Sequence, residues 1–224
     1  MNGKKAAGIK ALDEIREGMT IGLGTGSTVY FFLEALAEKV AAGFTITGVA
    51  TSQQTIDLAK KWKIPMRTLN EVSTIDVTID GADEFDPQLN GIKGGGGALL
   101  FEKLVAKSSK KRIWIVDERK KVEQLGRFPL PVEVVPFGWK HVESFLVNKG
   151  YNPKLRLTAD ERPYVTDAHH YILDLHLQTI SDPEALANEL DHLTGVVEHG
   201  LFLGMTEKVL VGAPNGTVET FEKK

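Results

Sequence analysis

The sequence contains no cysteine. This absence excludes disulfide bonds, cysteine-ligated zinc, iron–sulfur clusters and thiol catalysis, and it fits a reducing compartment such as the cytoplasm, where we expect the protein. Net charge is also small, because 27 lysines and arginines against 30 aspartates and glutamates leave −3, so we expect no nucleic-acid partner. Apolar runs stay below the roughly 18 residues of a membrane span, and the first ten residues lack a signal-peptide core, so we expect no membrane partner.

Glycine, by contrast, is plentiful and unevenly distributed among the 224 residues. Nine of the 22 glycines fall in three short segments, which we call the glycine segments: Gly22, Gly24 and Gly26; Gly81; and Gly91 with Gly94–Gly97. A glycine backbone can turn tightly and come close to a ligand. We therefore expect the functional chemistry at these segments.

Short β-branched runs and helical patterns alternate through the first two-thirds of the chain. Strands that alternate with helices are typical of βαβ units and a mostly parallel sheet. The carboxyl ends of such strands line a ligand crevice, so the loops that follow them are the candidate site. The pattern predicts strands at 20–23, 45–50, 75–79 and 112–116, with helices at 28–41, 53–62 and 98–107.

Pro129 and Pro131 interrupt this alternation. Beyond them, helical and strand patterns within about 75 residues predict a small α+β unit. A hairpin at 208–212 and 218–221 is expected to return to the first domain. The sequence thus predicts two domains, one of residues 1–127 and 200–224 and one of residues 128–199. The elements predicted for the smaller domain are helices at 139–148 and 183–193 and strands at 154–157, 171–177 and 195–198.

The first glycine segment joins a predicted strand to a predicted helix through Gly22-Leu23-Gly24-Thr25-Gly26-Ser27-Thr28. The free N–H groups and the positive dipole of a helix start suit an anion, and Ser27 and Thr28 add hydroxyl donors, so we expect a metabolite's phosphate here. A dinucleotide fits less well, because Ser27 stands where the third Rossmann glycine belongs and no acidic residue ends the second strand. No Gly-Lys-Ser/Thr follows, which excludes a P-loop. The alternative is a tight turn capped by Ser27, and Thr51-Ser52 is expected to be a plain helix N-cap.

Three carboxylates follow the apolar strand predicted at 75–79, in the sequence Asp80-Gly81-Ala82-Asp83-Glu84. At a strand end they could bind a divalent metal such as Mg²⁺ through oxygen atoms, or the hydroxyl groups of a sugar. The metal is the weaker hypothesis, because neither histidine nor cysteine lies nearby in the sequence. A solvated acidic turn without a function is the alternative.

Lys93-Gly94-Gly95-Gly96-Gly97 leads into the helix predicted to carry Glu102. Each glycine costs about 0.5–1 kcal/mol relative to alanine in regular structure, so we expect such a run only where the backbone passes close to another group. At about 100° per residue, Glu102 falls on the apolar side of the helix near Val105, and Lys103 and Lys107 fall on the other side. A partly desolvated carboxylate is a candidate general base. A glutamate at the helix edge, paired with a lysine, is the alternative.

Histidines are absent from all these segments, because the six in the chain lie between His141 and His199. A histidine base or a histidine-ligated metal is therefore disfavoured there, which leaves carboxylates as candidates for the base. His169 and His170 could form a metal pair, but adjacent residues on a strand face opposite ways. Lys93 and Lys120 are candidate electrophiles or phosphate contacts, with an ordinary solvated lysine as the alternative for Lys120.

Taken together, the motifs resemble ribose-5-phosphate isomerase of the A type in order and spacing, over essentially the whole chain. The resemblance rests on Gly24–Thr28, Asp80–Glu84, Lys93–Gly96 with Glu102-Lys103, the segment 128–134, and the glycine-containing segment 195–202.

This resemblance implies a Rossmann-like α/β domain with a smaller ferredoxin-like α+β domain. It implies a homodimeric aldose–ketose isomerase that interconverts D-ribose 5-phosphate and D-ribulose 5-phosphate through an enediolate, in the non-oxidative pentose phosphate pathway. No metal or organic cofactor is implied. By the same resemblance Glu102 is the proton acceptor, while Lys93, Asp80 and Asp83 assist catalysis. The implied substrate contacts are Thr25, Gly26, Ser27, Thr28, Asp80, Gly81, Ala82, Asp83, Lys93, Gly94, Gly95, Gly96 and Lys120.

Three other classes of function fit parts of the pattern. A sugar-phosphate sensor of a transcription regulator would need a helix-turn-helix, for which the chain leaves no room before the fold begins near residue 20. An amino-sugar phosphate deaminase or a CoA transferase would use a related scaffold, but the segments 80–84 and 93–102 favour the isomerase. A dinucleotide oxidoreductase is disfavoured by the glycine spacing at Ser27.

Overall fold

A computed structural model describes residues 2–223 of the chain. The six α-helices in this range are α1 (Gly3–Lys10), α2 (Ser27–Ala41), α3 (Gln53–Lys61), α4 (Leu99–Lys107), α5 (Trp139–Asn148) and α6 (Pro183–Asp191). The strands are β1 (Thr20–Leu23), β2 (Thr47–Ala50), β3 (Ile75–Asp80), β4 (Glu84–Phe85), β5 (Gly91–Ile92), β6 (Ser109–Asp117), β7 (Leu130–Val134), β8 (Pro153–Leu155), β9 (Tyr171–Leu175), β10 (Val196–His199), β11 (Leu201–Phe202), β12 (Lys208–Gly212) and β13 (Val218–Glu222). Short 3-10 turns span Ala11–Glu14, Leu69–Glu71 and Glu118–Lys120.

The chain divides into two compact units, the first of which comprises residues 2–82, 101–121 and 204–223. It contains a six-stranded sheet in the order β13-β12-β6-β3-β1-β2. Five of these strands are parallel neighbours, and β13 adds to the edge as the antiparallel partner of β12. Such a parallel-dominated sheet is what the alternation of strands and helices predicted, and it agrees with the Rossmann-like domain that the resemblance implied.

The core of the first unit explains why these segments form strands. β1 and β3 are buried almost continuously, and Ile21 and Ile79 have no exposed surface, as expected for strands covered on both faces. From α2, Phe32 and Leu36 enter the same core at helical spacing. Each fully buried side chain of this kind stabilises the fold by about 1.5–3 kcal/mol.

The second unit comprises Asp83–Leu100 and Val122–Leu203 and is built on antiparallel pairs. One sheet has the order β10-β7-β9-β8, and a smaller sheet has the order β11-β5-β4. Val142 and Leu146 of α5 share a buried core with Leu186 and Leu190 of α6 and with side chains of the larger sheet. Helices and antiparallel strands in one core make this unit α+β.

The predicted α/β fold class is therefore confirmed, and several elements match closely. The strand predicted at 20–23 and the helix predicted at 139–148 have the same limits as β1 and α5. The domain limits at 127/128 and 199/200 stay a prediction. Within residues 2–223, no helix combines the length and the apolar character that a membrane crossing requires.

The pattern of the sequence missed α1, β7 and the three-stranded sheet. β7 lies where Pro129 and Pro131 were expected to interrupt regular structure. A proline lacks the N–H donor but keeps its carbonyl acceptor, and the carbonyl of Pro131 accepts a hydrogen bond from the Gly200 N–H at 2.8 Å. The strand therefore forms in spite of the two prolines.

Candidate active site

Three loops of the first unit that carry predicted site residues follow the carboxyl ends of neighbouring parallel strands. β1 ends at Leu23, β3 ends at Asp80, and β6 ends at Asp117 before the turn Glu118–Lys120. Because β1 pairs with β3 and β3 pairs with β6, all in parallel, these ends lie at one edge of the sheet. The sheet order thus brings the loop of residues 25–28 to the same edge as Asp80 and Lys120.

Thr25 is fixed by its side chain and by its backbone. Its hydroxyl lies 2.8 Å from the Thr51 hydroxyl and donates to Ser52 Oγ at 2.7 Å, in a buried cluster. Its N–H donates to Asp80 Oδ1 at 3.0 Å. Ser52 also accepts a hydrogen bond from the Thr55 N–H and caps α3, which confirms the N-cap expected at Thr51-Ser52.

Ser27 begins α2, and the N-cap residue is Gly26, which has φ +115° and no side chain to cap the helix. The alternative of a turn capped by Ser27 is therefore wrong. The Ser27 hydroxyl accepts a hydrogen bond from Lys4 Nζ at 2.8 Å. Gly26, Ser27 and Lys4 all line a cavity of about 470 Å³. The helix start, a hydroxyl and an ammonium group together make this cavity suited to an anion.

Lys4 is a candidate functional residue that the sequence did not reveal. It lies on α1, in a stretch whose pattern indicated neither a helix nor a motif. Only the packing of α1 places its ammonium beside Ser27 and 3.9 Å from Asp117 Oδ2. The Arg119 guanidinium, together with Lys4, holds the pKa of Asp117 below its usual range, although burial opposes this shift.

Asp80 is buried at the end of β3, with 3% of its surface exposed. Its Oδ1 accepts hydrogen bonds from the N–H groups of Thr25 and Gly81, the second at 2.7 Å. Glu84 is also buried in the second unit, where its two carboxylate oxygens accept from the N–H groups of Gly126 and Phe128 at 2.9 and 2.7 Å. The alternative of a solvated acidic turn without a function is therefore wrong for Asp80 and Glu84, because both side chains are buried. Glu84 has a structural role.

Glu102 lies in the first turn of α4 and is buried together with Val105, as the helical wheel predicted. Lys107 is exposed, also as predicted. Lys103, however, is buried rather than exposed on the opposite side. The buried surface of α4 extends around more of the helix than a single apolar stripe. The long methylene chain of a lysine can be buried along such a surface.

In the second unit, Lys93 and the glycine run form a tightly bonded loop. Lys93 is buried, and its Nζ lies 5.3 Å from the centre of the Phe202 ring. The Gly97 N–H donates to the Gly94 carbonyl at 2.9 Å, which closes a turn, and the Gly95 N–H donates to Asp83 Oδ2 at 2.7 Å. Asp83 and the glycine run, distant in sequence, are thus in direct contact.

Comparison with known proteins identifies the family. Residues 47–216 match the family model described as ribose 5-phosphate isomerase A (phosphoriboisomerase A). The chain belongs to this family. Proteins named ribose-5-phosphate isomerase A are 52% identical over 214 residues in Streptococcus agalactiae, covering 95% of this chain and 96% of the relative, and 50% identical over 223 residues in Listeria monocytogenes, covering 100% of both.

Solved structures of ribose-5-phosphate isomerases have the same fold. One, a D-ribose-5-phosphate isomerase in complex with phospho-erythronic acid, superimposes with a TM-score of 0.96 at 40% identity over 100% of both chains. Another, from Plasmodium falciparum, has a TM-score of 0.94 at 41% identity and covers 99% of this chain and 98% of its own. The resemblance to ribose-5-phosphate isomerase A and the predicted class of aldose–ketose isomerase are confirmed.

A cluster outside the glycine segments contains residue types that can bind a metal. Among residues 2–223, ligand atoms of Asp191, Glu198 and His199 lie within 4.8 Å of one another. His199 Nδ1 accepts the Leu201 N–H at 3.2 Å, so its proton lies on Nε2, which donates to Asp191 Oδ1 at 3.1 Å. A metal at Nε2 would displace that proton, and Nδ1 could not take it up while it accepts the Leu201 N–H, so the cluster fits a hydrogen-bonded group better than a metal site.

Proposed function

We propose that this chain interconverts D-ribose 5-phosphate and D-ribulose 5-phosphate by proton transfer through an enediolate, in the non-oxidative pentose phosphate pathway. The observation that carries this proposal is the buried carboxylate of Glu102 in a chain that matches ribose-5-phosphate isomerases from end to end. Isomerisation moves one proton between C1 and C2 of the sugar, so a single base that takes the proton and returns it is sufficient.

Glu102 is the proposed base. In the direction of the ketose it takes the proton from C2, and the C–H electron pair forms the C1–C2 double bond while the carbonyl π pair moves onto O1. A proton then passes from the C2 hydroxyl to O1, and the C2 oxygen re-forms a carbonyl as Glu102 returns its proton to C1. Glu102 is buried in the first turn of α4, which keeps its carboxylate away from bulk water. No histidine lies in any segment assigned to the site, which leaves carboxylates as the candidates for the base.

Lys93 and the glycine run are the proposed stabilisers of the negative charge that develops on the carbonyl oxygen. An ammonium group and backbone N–H groups fixed before the reaction stabilise an oxyanion without reorganising in the transition state. The loop is fixed because the Gly97 N–H donates to the Gly94 carbonyl and the Gly95 N–H donates to Asp83. In the loop fixed in this way, the N–H proposed to donate to the oxyanion is that of Gly96.

Asp80 and Asp83 are the proposed partners of the sugar hydroxyl groups, and they assist opening of the ring form. Both carboxylates are held by backbone N–H groups, Asp80 by those of Thr25 and Gly81 and Asp83 by that of Gly95. Carboxylates fixed in this way keep acceptor positions for hydroxyl groups. Gly81 and Ala82 are proposed to contact the substrate through their backbone.

The phosphate is proposed to bind at the start of α2. The helix dipole and the backbone N–H groups at the helix start attract the anion. The contact proposed for Thr25 is through its backbone, whose N–H would be shared with Asp80 Oδ1, because its hydroxyl is engaged in the cluster with Ser52. Lys4 adds a cation beside Ser27. The full proposed anchor is Thr25, Gly26, Ser27, Thr28, Lys120 and Lys4.

Formation of ribulose 5-phosphate from ribose 5-phosphate by the purified chain, with EDTA present throughout, tests the proposal. We expect turnover that chelation leaves unchanged. A folded protein without turnover would contradict the isomerase, and loss of activity on chelation would contradict catalysis without a metal.

We also propose a cytoplasmic homodimer and the domain limits stated above. The absence of cysteine supports a reducing compartment. Light scattering at several protein concentrations tests the dimer, with twice the 24.6 kDa chain mass as the expected result. Cell fractionation tests the compartment, and limited proteolysis tests the domain limits.

A further inference from the structure

Arg156, which no motif of the sequence pointed to, lies beside the glycine run in the second unit. Its guanidinium is largely buried and binds Asp174 with two hydrogen bonds, Nε to Oδ2 at 2.9 Å and Nη2 to Oδ1 at 2.5 Å. A bidentate pair of this kind fixes the guanidinium plane. The remaining nitrogen, Nη1, donates to the Gly94 carbonyl at 2.9 Å and to the Gly95 carbonyl at 3.2 Å.

Tyr164 holds the next peptide of the run. Its hydroxyl donates to the Gly96 carbonyl at 3.3 Å, and its ring occupies the space that a Cβ at Gly97 would need. Burial raises the pKa of the Tyr164 hydroxyl, with a further contribution from Asp167, so the hydroxyl keeps its proton at neutral pH and can donate it. Three successive carbonyls of the glycine run thus accept from two side chains.

The carbonyl and the N–H of one peptide point in opposite directions. A donor that holds the Gly95 carbonyl therefore turns the N–H of Gly96 the other way, away from Arg156. The positive charge on the carbonyl side also polarises the peptide and strengthens its N–H as a donor. Gly95 and Gly96 are themselves exposed. Four consecutive glycines would otherwise have many conformations, so an external constraint of this kind is needed to fix the donors.

We propose that Arg156, fixed by Asp174, is a positioning residue for the isomerase reaction: it sets and polarises the glycine-run peptide whose N–H stabilises the enediolate. This inference rests on the proposed function of the glycine run. Arg156 itself touches no reacting atom. Its effect is therefore expected on the charged transition state and its mimics, and far less on binding of the neutral carbonyl of the substrate.

The experiment compares full-length wild type with Arg156→Gln, Arg156→Lys and the control Arg162→Gln. Arg162 lies in the same connection between β8 and β9, but its pair with Asp160 is exposed. For each protein we measure kcat and KM for ribose 5-phosphate, the Kd of phospho-erythronic acid and the melting temperature. The carboxylate of phospho-erythronic acid mimics the negative charge of the enediolate.

For Arg156→Gln we expect kcat to fall at least tenfold and the Kd of phospho-erythronic acid to rise by a similar factor, with KM within threefold of wild type. Arg156→Lys keeps the charge but not the bidentate pair with Asp174. Its kcat and its Kd for phospho-erythronic acid should therefore lie between those of wild type and Arg156→Gln. Arg162→Gln should match wild type in every measurement.

A kcat of Arg156→Gln within twofold of wild type would overturn the proposal. So would a loss of kcat that equals the loss of folded protein, with the Kd of phospho-erythronic acid unchanged in the folded fraction. Should Arg156→Gln fail to fold, Arg156→Lys decides, since wild-type kcat and Kd in that variant also overturn the proposal. An inactive wild type would instead contradict the proposed function and not the role of Arg156 alone.

Discussion

Asp80 occupies the space where a side chain of residue 24 would lie. A Cβ built on Gly24 would overlap Asp80 Oδ1, and the same oxygen accepts the Thr25 N–H at 3.0 Å. The end of β3 and the loop after β1 are thus in direct contact, which is possible because Gly24 has no side chain. The proposed phosphate loop and the proposed hydroxyl-binding carboxylate are therefore fixed relative to each other.

Replacing Gly24 by alanine should consequently damage both the fold and the reaction. We expect Gly24→Ala to lower kcat/KM at least tenfold, because the methyl group must push Asp80 away from the Thr25 N–H. The melting temperature should fall by several degrees, since overpacking of this kind costs about 1–3 kcal/mol. Steady-state kinetics and thermal unfolding measure the two effects.

Gly43→Ala is the matched control. Gly43 has φ +99°, but a Cβ there would meet no described atom within 4 Å. Its substitution should cost only the backbone strain of about 1–2 kcal/mol and leave kcat/KM unchanged. Equal kinetics for Gly24→Ala and Gly43→Ala would show that the contact with Asp80 has no part in the reaction.

Removing the charge of Glu102 should abolish proton transfer while the fold persists. We expect Glu102→Gln to lower kcat at least a hundredfold, because general base catalysis contributes about 10²–10⁴-fold and glutamine cannot accept the proton. The melting temperature should change little, since glutamine has nearly the same volume. Incorporation of solvent deuterium into the sugar should decrease together with kcat.

Glu38→Gln, at an exposed position of α2, controls for the loss of one negative charge and should behave as wild type. Near-normal kcat in Glu102→Gln would remove Glu102 as the base. Continued deuterium exchange at the wild-type rate without net turnover would show that another group takes the proton.

Lys4 and Ser27 should act on substrate binding rather than on the chemical step. We expect Lys4→Met and Ser27→Ala each to raise KM for ribose 5-phosphate about three- to thirtyfold with kcat within threefold, because charge-assisted hydrogen bonds contribute about 1.5–3 kcal/mol and neutral ones less. Lys5→Met is the control, since Lys5 is the exposed neighbour of Lys4. An unchanged KM in Lys4→Met would exclude this lysine from the phosphate site.

The sequence predicted the parts of the site that depend on local order. Glycine spacing located the loop after β1, and the helical wheel placed Glu102 on a buried face. Chain order alone was enough for these, because a strand end, a turn and a helix start are set by neighbouring residues. Lys103 shows the limit of the same method. A helical wheel assumes that a helix buries one face, whereas α4 buries residues on more than one face, Lys103 among them.

The contacts that the sequence could not predict join residues far apart in the chain. Lys4 meets Ser27 across 23 positions, and Arg156 meets the Gly94 carbonyl across 62. The sequence around Lys4 and around Arg156 contains no pattern that distinguishes either residue from a solvated lysine or arginine. Tertiary packing alone gives them their partners, so a structure is needed to find them.

Stability in acid should depend on Glu14, which lies between two lysines of the first unit. Its carboxylate accepts from Lys111 at 2.8 Å and from Lys208 at 2.5 Å. Burial acts to raise the pKa of Glu14, but the hydrogen bonds from Lys111 and Lys208 outweigh it and lower the pKa below 4.5. Because the folded state then binds the proton less readily than the unfolded state, the stabilisation is present above about pH 4.5 and disappears as the pH falls through the lower folded value.

We therefore expect Glu14→Gln to lower the free energy of unfolding by about 1 kcal/mol at pH 7, a value limited by the partial exposure of the group to solvent. The difference from wild type should shrink as the pH falls below about 4.5 and through the lower folded pKa, where wild-type Glu14 takes up its own proton. Asp13→Asn, which removes an exposed partner of Lys10 in the same turn, should change stability by less than about 0.5 kcal/mol at either pH. Denaturant unfolding of the three proteins at pH 7 and pH 3.5 measures this, and a pH-independent deficit in Glu14→Gln would assign the loss to packing instead of charge.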